Sequence, residues 1–254
     1  MKLFQYWDTG EPPADVAGWI ESVRVGNPEL KHRLYDRASS SWFIGKHFGE
    51  RERQAFEACA VPAMQADYFR LCALVAKGGV WIDADTQCLA PLGPLLVRAA
   101  HGVMMTTWNG GLANGLMMFR QPADPFLSAA LKLATETIEE RRFDTVSSVS
   151  GPGLLNAVRA AVEPGWAEEK ARRKPWFSPL VARAVASMID PAGVLASIHA
   201  LTLIHFLELE SWMNSPQAAY KATPIHWTNW TGPIYAEPVS QTRARDFRLH
   251  REKL

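Results

Sequence analysis

With 254 residues, 48% of them hydrophobic and 10% aromatic, the chain is long enough for one core at the upper end of single-domain size. A formal net charge of +1 excludes the broad basic surface that gives nonspecific nucleic-acid binding its strength, so no nucleic-acid partner is expected. Cys59, Cys72 and Cys88, an odd set without C-x-x-C spacing, read as small buried hydrophobes rather than disulfides or zinc ligands.

In chain order, the start Met1-Lys2-Leu3-Phe4 reaches Asp8 too soon for the apolar core of a signal peptide, and a cytoplasmic location is expected. Strands are predicted over residues 2–7, ending in Trp7, and 30–36. Met64, Tyr68, Leu71 and Val75 recur at intervals of four, three and four, the stripe a helix lays against a core. Asp67 and Arg70 share another face of that helix, where side chains three apart can meet or converge on one ligand. Gly78 and Gly79 stand where the pattern stops, and glycine there can close a helix in the left-handed conformation. A strand over 80–83 follows, along which Trp81, Asp83 and Asp85 point to one side.

Two carboxylates on one face of a strand end repel each other unless something positive sits between them. A hard divalent cation, Mg²⁺ or Mn²⁺, shares its oxygen shell between one or two carboxylates, water and substrate phosphates. An Asp-x-Asp at this place is a device for holding a nucleotide diphosphate through that metal. The plain alternatives are a solvated acidic turn for Asp83 and Asp85, a surface ion pair for Asp67 and Arg70, core filling for Trp7 and Trp81, and a hydrogen-bonded core histidine for His226.

Further strands are predicted over 103–106 and 116–119, with Asn109 and Asn114 among Gly110, Gly111 and Gly115 in a loop between them. A helix over 125–142 opens with Asp124 as N-cap and Pro125 at its first position, a second covers 151–162, and 164–179 reads as a loop or mobile insert. The longest apolar stretch, 194–207, is broken by His199 and His205 and too short to span a bilayer. From Gln241 the tail sets Arg243, Arg245, Arg248, Arg251 and Lys253 against Asp246 and Glu252, either a frayed solvated end or a peripheral contact for the inner face of an anionic membrane, where a lipid-linked acceptor would lie. Strands alternating with helices give an α/β fold, a mostly parallel sheet with helices on both faces. Ligands bind such sheets at the carboxyl ends of the strands, where Trp7 and Asp83 fall.

The segment Ala66-Asp67-Tyr68-Phe69-Arg70 through Val80-Trp81-Ile82-Asp83-Ala84-Asp85, followed by Leu89-Ala90-Pro91-Leu92, resembles the sugar-binding region of glycosyltransferase family 32. That family includes yeast-type mannosyltransferases and bacterial capsular-polysaccharide transferases, and the glucosylating domains of large clostridial toxins have a similar core. Leu3 to Trp7, Trp19 with Asn27-Pro28, Asn114-Gly115, Ser150-Gly151-Pro152-Gly153 and His226-Trp227-Thr228-Asn229-Trp230 resemble further family landmarks in the same order. The resemblance implies a single GT-A-like domain over 1–254, with about 1–95 as the nucleotide-sugar half and about 96–254 as the acceptor half and closing element. It also implies a metal-dependent transfer of a sugar from a UDP- or GDP-linked donor to a glycan or lipid-linked hydroxyl, with retention of configuration.

On matching positions, Asp83 and Asp85 would hold the metal and, through it, the donor diphosphate, Asp85 as the more direct ligand and Asp83 nearer the sugar and ribose. Asp67 and Arg70 would hold the sugar, Trp7 would stack on the base, and Trp81 and Asn114 would join the donor site. Trp230 would reach the leaving phosphate, and His226 or Thr228 would complete the metal shell. No carboxylate can be named as base or nucleophile. Two other readings stand beside this one. Val80 to Thr86 also fits the Asp-x-Asp-x-Thr start of haloacid-dehalogenase-type phosphatases, with Asp83 as nucleophile and Asp85 as acid, but no Gly-Asp-x-x-x-Asp or Asp-Asp follows. The third is a nucleotide-sugar-binding protein without turnover.

Overall fold

A computed structural model describes residues 1–173, 185–187, 189–224 and 226–236. Its strands are β1 (Lys2–Tyr6), β2 (Lys31–Tyr35), β3 (Gly79–Ile82), β4 (Gln87–Cys88), β5 (Gly102–Thr106), β6 (Leu112–Phe119), β7 (Leu201–His205) and β8 (Met213–Asn214). Six of them form one sheet in the order β2-β1-β3-β6-β5-β7, and β4 pairs with β8 in a small second sheet. β1 runs parallel to β2 and β3, and β5 parallel to β7, while β6 is antiparallel to both β3 and β5. The sheet is therefore mostly parallel, with β6 the one reversed strand.

Alternation puts the two faces of the sheet into different cores. Phe4, Tyr6, Trp81, Met104, Met117 and Phe119 face the helices Pro62–Lys77, Pro125–Glu139 and Pro152–Val162. Leu3, Val80, Ile82, Val103, Leu116 and Met118 face Val23 of helix Ala14–Gly26 and Leu95 of helix Gly93–Arg98. Both faces are covered, as near-continuous apolar strands require.

The helix-to-strand turn that leads to the acidic tip depends on two glycines. The Gly78 amide donates to Leu74 O and closes helix Pro62–Lys77 with φ +59°, and Gly79 follows at φ +112°. A Cβ on Gly78 would stand 2.8 Å from Phe119 O, and one on Gly79 2.7 Å from Lys2 O. Only glycine allows the backbone to pass between β1 and β6 at this point.

Several predicted boundaries move. β6 begins at Leu112, so Asn114 is a strand residue and not part of the loop with Asn109. Its neighbour Ala113 pairs with Met105 past an irregularity between Met104 and Met105, and a strand pairing of this kind outweighs the turn preference of asparagine and glycine. The helix predicted over 125–142 ends at Glu139, and Arg141 takes φ +50° just beyond it; the Asp124 cap is present, with Leu127 N donating to Oδ1 at 3.1 Å. The stretch predicted as a loop from residue 164 begins instead with helix Pro164–Arg173, whose Trp166 and Ala167 pack on Ala160. The rest of that stretch, 174–179, and the basic tail from residue 241 lie outside the described residues. Cys59 and Cys72 are buried and Cys88 half-buried, and none forms a disulfide. Among the described residues no helix is long and apolar enough to cross a membrane.

Candidate active site

A cleft of about 360 Å³ opens at the carboxyl ends of β1 and β3, within the size range of small-molecule sites. β1 ends on Tyr6, one residue before Trp7 at the cleft edge, and β3 ends on Ile82, one residue before Asp83. The Asp83 amide then donates to Gly115 O at 2.9 Å, which continues the pairing with β6 and fixes where the acidic tip leaves the sheet. Helix Pro62–Lys77 borders the same cleft through Ala63, Ala66, Asp67 and Arg70.

Arg70 organises the interior of the site. Its Nη2 lies 2.7 Å from Asp67 Oδ1 and 3.2 Å from Asp83 Oδ1, its Nη1 donates to Asn114 O, and its guanidinium stacks 4.8 Å from the Trp81 ring centre. Asn114 Nδ2 donates to Asp67 Oδ1 at 2.8 Å, and Trp81 Nε1 donates to Asp83 Oδ1 at 2.9 Å. Arg70 is 4% and Asp67 7% exposed, so they form a buried pair and not the surface pair of the plain alternative. Trp81 is 1% exposed: it is core, and it serves the cleft as the floor beneath Arg70 and as a donor to Asp83. Two glycines make room for the acids, since a Cβ on Gly151 would stand 2.8 Å from Asp67 Oδ2 and one on Gly115 3.1 Å from Asp83 Oδ2.

Burial raises the Asp67 carboxyl to about 6, with Arg70 opposing the shift. Asp83 is also raised, first by burial, with Arg70 again opposing and the Asp85 charge adding to it. His226 is lowered by burial and then by the Lys221 charge.

Asp85 has different partners. Lys221 Nζ lies 2.7 Å from its Oδ2, and the Tyr220 hydroxyl donates to the same oxygen at 2.9 Å. Tyr220 also stands edge-on to Trp7, ring centres 5.1 Å apart, and 5.6 Å from the His226 ring. Neither Tyr220 nor Lys221 was legible as a site residue, because they sit in Ala-Ala-Tyr-Lys-Ala-Thr-Pro, a stretch with no periodicity and no motif.

The predicted site residues thus divide. Trp7, Asp67, Arg70, Trp81, Asp83, Asp85, Asn114 and His226 line one cleft. Trp227, 52% exposed, lines it as well and was missed as an individual residue. Thr228 is exposed and bonds His226 Nδ1 at 2.6 Å, while Trp230 packs against the main core with its Nε1 donating to Pro233 O at 3.3 Å; neither is among the residues that line the cleft.

For a metal, the structure offers less than the expected set. Among the described residues no three His, Cys, Asp or Glu side chains converge; His226 lines the cleft with Asp83 and Asp85, and Thr228 reaches it only through its bond to His226 Nδ1. The bonds to those two acids fall on Asp83 Oδ1 and Asp85 Oδ2, which leaves Asp83 Oδ2 and Asp85 Oδ1 for a ligand. Two carboxylate oxygens fit Mg²⁺ or Mn²⁺ when water and substrate phosphates supply the rest of the shell.

Comparison with known proteins points the same way. Residues 13–101 match a family described as "Glycosyltransferase sugar-binding region containing DXD motif". An "Initiation-specific alpha-1,6-mannosyltransferase" of Schizosaccharomyces pombe is 33% identical over 98 residues, 36% of this chain and 25% of that protein. An "Inositol phosphoceramide mannosyltransferase 3" of the same organism is 26% identical over 161 residues, 63% of this chain and 44% of that protein. The chain therefore spans less than half the length of either relative. Among solved structures, the one titled "PaToxG Glycosyltransferase" superposes with a TM-score of 0.53 at 15% identity, over 72% of this chain and 77% of that one, which shows a shared fold. Residues 13–101 are thus similar to a DXD glycosyltransferase sugar-binding region, and Asp83-Ala84-Asp85 is the Asp-x-Asp within them.

Proposed function

We propose that the cleft transfers a sugar from a nucleotide diphosphate to an acceptor hydroxyl, as a family-32-type enzyme that retains configuration. The observation that carries this reading is the convergence of an acidic pair, Asp83 with Asp85, and an ion pair, Asp67 with Arg70, on one cleft at the strand ends. In the reaction the bond from the anomeric carbon to the diphosphate oxygen breaks, a bond from that carbon to the acceptor oxygen forms, and the acceptor proton leaves.

Each residue has a part that its geometry supports. Trp7, at the end of β1, offers a face for the base of a UDP- or GDP-linked donor. Asp67, kept in place by Arg70 and Asn114, accepts hydrogen bonds from sugar hydroxyls, and buried charge-assisted bonds of that kind discriminate between sugars. Asp85 and Asp83 would hold Mg²⁺ or Mn²⁺, which when bound offsets the charge gathering on the departing diphosphate. Residues of about 1–95 would then supply most of the donor site, joined there by Asn114, Tyr220 and His226, and the rest of 96–254 would serve the acceptor, a glycan or lipid-linked hydroxyl. The enzyme would work in the cytoplasm, with its basic tail from Gln241 as a contact for the inner membrane face where a lipid-linked acceptor lies. The match of residues 13–101 to a sugar-binding region supports transfer over the phosphatase alternative.

The test is a panel of UDP- and GDP-sugars with Mn²⁺, read as donor hydrolysis and transfer. The native protein should turn over one donor, and Asp85→Asn should lose on the order of 10²-fold or more while melting at the native temperature. Full activity in that variant would remove the acidic tip from the chemistry, and phosphate release from a phosphomonoester would favour the phosphatase.

A further inference from the structure

Lys221 reaches Asp85 from a turn that the structure aims and holds. The 3-10 turn Ala219–Ala222 is anchored by buried Ala218, which packs with Val16, Ile20 and Ala84, and by Ala219 N donating to Asp15 Oδ2 at 3.3 Å. On its other side Asn229 Nδ2 donates to Lys221 O at 2.8 Å and to Thr223 O at 3.1 Å. The Lys221 and Asp85 side chains are 23% and 19% exposed, so their attraction is only partly screened by water. The backbone that carries Lys221 is thus tied down on both sides of the ion pair.

Its charge matters because of what else is in the cleft. Asp67, Asp83 and Asp85, with Asp8 on the cleft wall, contribute four negative charges and Arg70 and Lys221 two positive ones, so the site stands at −2. A divalent ion takes it to zero. Without Lys221 the same site would start at −3 and reach only −1, so a bare ion would bind more tightly and the diphosphate that follows it less tightly.

We propose that Lys221, with Tyr220, is a positioning residue of the donor site: it grips Asp85 by Oδ2, leaves Oδ1 for a cleft ligand, and shifts the site's preference from a bare divalent ion towards that ion together with a diphosphate. The inference rests on the nucleotide-diphosphate reading of the cleft.

The experiment measures binding, not turnover. Mn²⁺ alone is titrated by the electron paramagnetic resonance of the free ion, and UDP, GDP and the uncharged nucleosides are titrated calorimetrically in saturating Mn²⁺, for the native protein, Lys221→Met and Lys221→Arg. Lys221→Met should bind Mn²⁺ about tenfold more tightly and the nucleoside diphosphate about tenfold more weakly, with nucleoside binding unchanged. Lys221→Arg should restore both affinities. If Lys221→Met weakens metal and diphosphate together, or changes neither while the native protein binds both, the assignment of Lys221 is overturned and the donor cleft stands. If the native protein binds no nucleoside diphosphate with or without Mn²⁺, the donor reading falls and takes this inference with it.

Discussion

Replacing Arg70 with methionine keeps a long, flexible side chain but removes the guanidinium that lies 2.7 Å from Asp67 and 3.2 Å from Asp83. Both acids are raised by burial and are held down chiefly by Arg70, so the variant leaves buried carboxylates without their cation. Breaking a buried pair from one side costs about 3–5 kcal/mol, a large part of the roughly 5–15 kcal/mol that holds a domain together. At about 2–4 °C per kcal/mol for a chain of this size, Arg70→Met should melt about 6–20 °C below the native protein near neutral pH.

The cause can be separated from a simple packing defect. Carboxylates that lose their cation take up protons instead, so the deficit should shrink as pH falls from about 7.5 to about 5. Adding Asp67→Asn to Arg70→Met should recover part of the loss near neutral pH by removing one of the stranded charges. Thermal melts followed by circular dichroism across that pH range provide the measurement. A melting temperature within about 2 °C of the native value, or a deficit equal at every pH, would refute the account of Arg70 as the counter-ion of both acids.

Asp67 itself predicts a pH dependence. Its folded value, about 6, lies above the ordinary 3.8, so the stability it contributes is fully present below about pH 4 and is lost as pH rises through 6. The melting temperature of the native protein relative to Asp67→Asn should therefore fall across that window, and parallel curves would count against it. Gly79→Ala places a Cβ 2.7 Å from Lys2 O at φ +112° and should lower stability by about 2–4 kcal/mol, whereas Gly93→Ala, with nothing within 4 Å, should stay within about 0.5 kcal/mol; denaturant midpoints that do not separate the two would contradict the strain argument.

Much of the candidate site could be read along the chain because its signals are local. The stripe through Met64, Tyr68 and Leu71 marks the buried face of helix Pro62–Lys77, and Asp67 with Arg70 three residues apart follows from helix geometry alone. Gly78 and Gly79 mark the turn, and the alternation that places Trp81 and Asp83 on one side is seen directly in the bond from Trp81 Nε1 to Asp83 Oδ1. The predicted order of strands and helices likewise gave a mostly parallel sheet with its ligand cleft at the strand ends.

The partners of those residues were decided by tertiary structure, because they come from distant parts of the chain. Arg70 meets Asp83 across the chain from the end of β3, β6 brings Asn114 against Arg70 and Asp67, and the turn preference of Asn114-Gly115 hid that strand. Trp230 carried a landmark motif yet packs on the core, while Lys221, in an unremarked stretch, holds Asp85 across 136 residues of sequence (221 less 85). Local spacing determines which side chains share a face; which opposite charges meet in a cleft depends on long-range chain closure, and no short-range pattern encodes it.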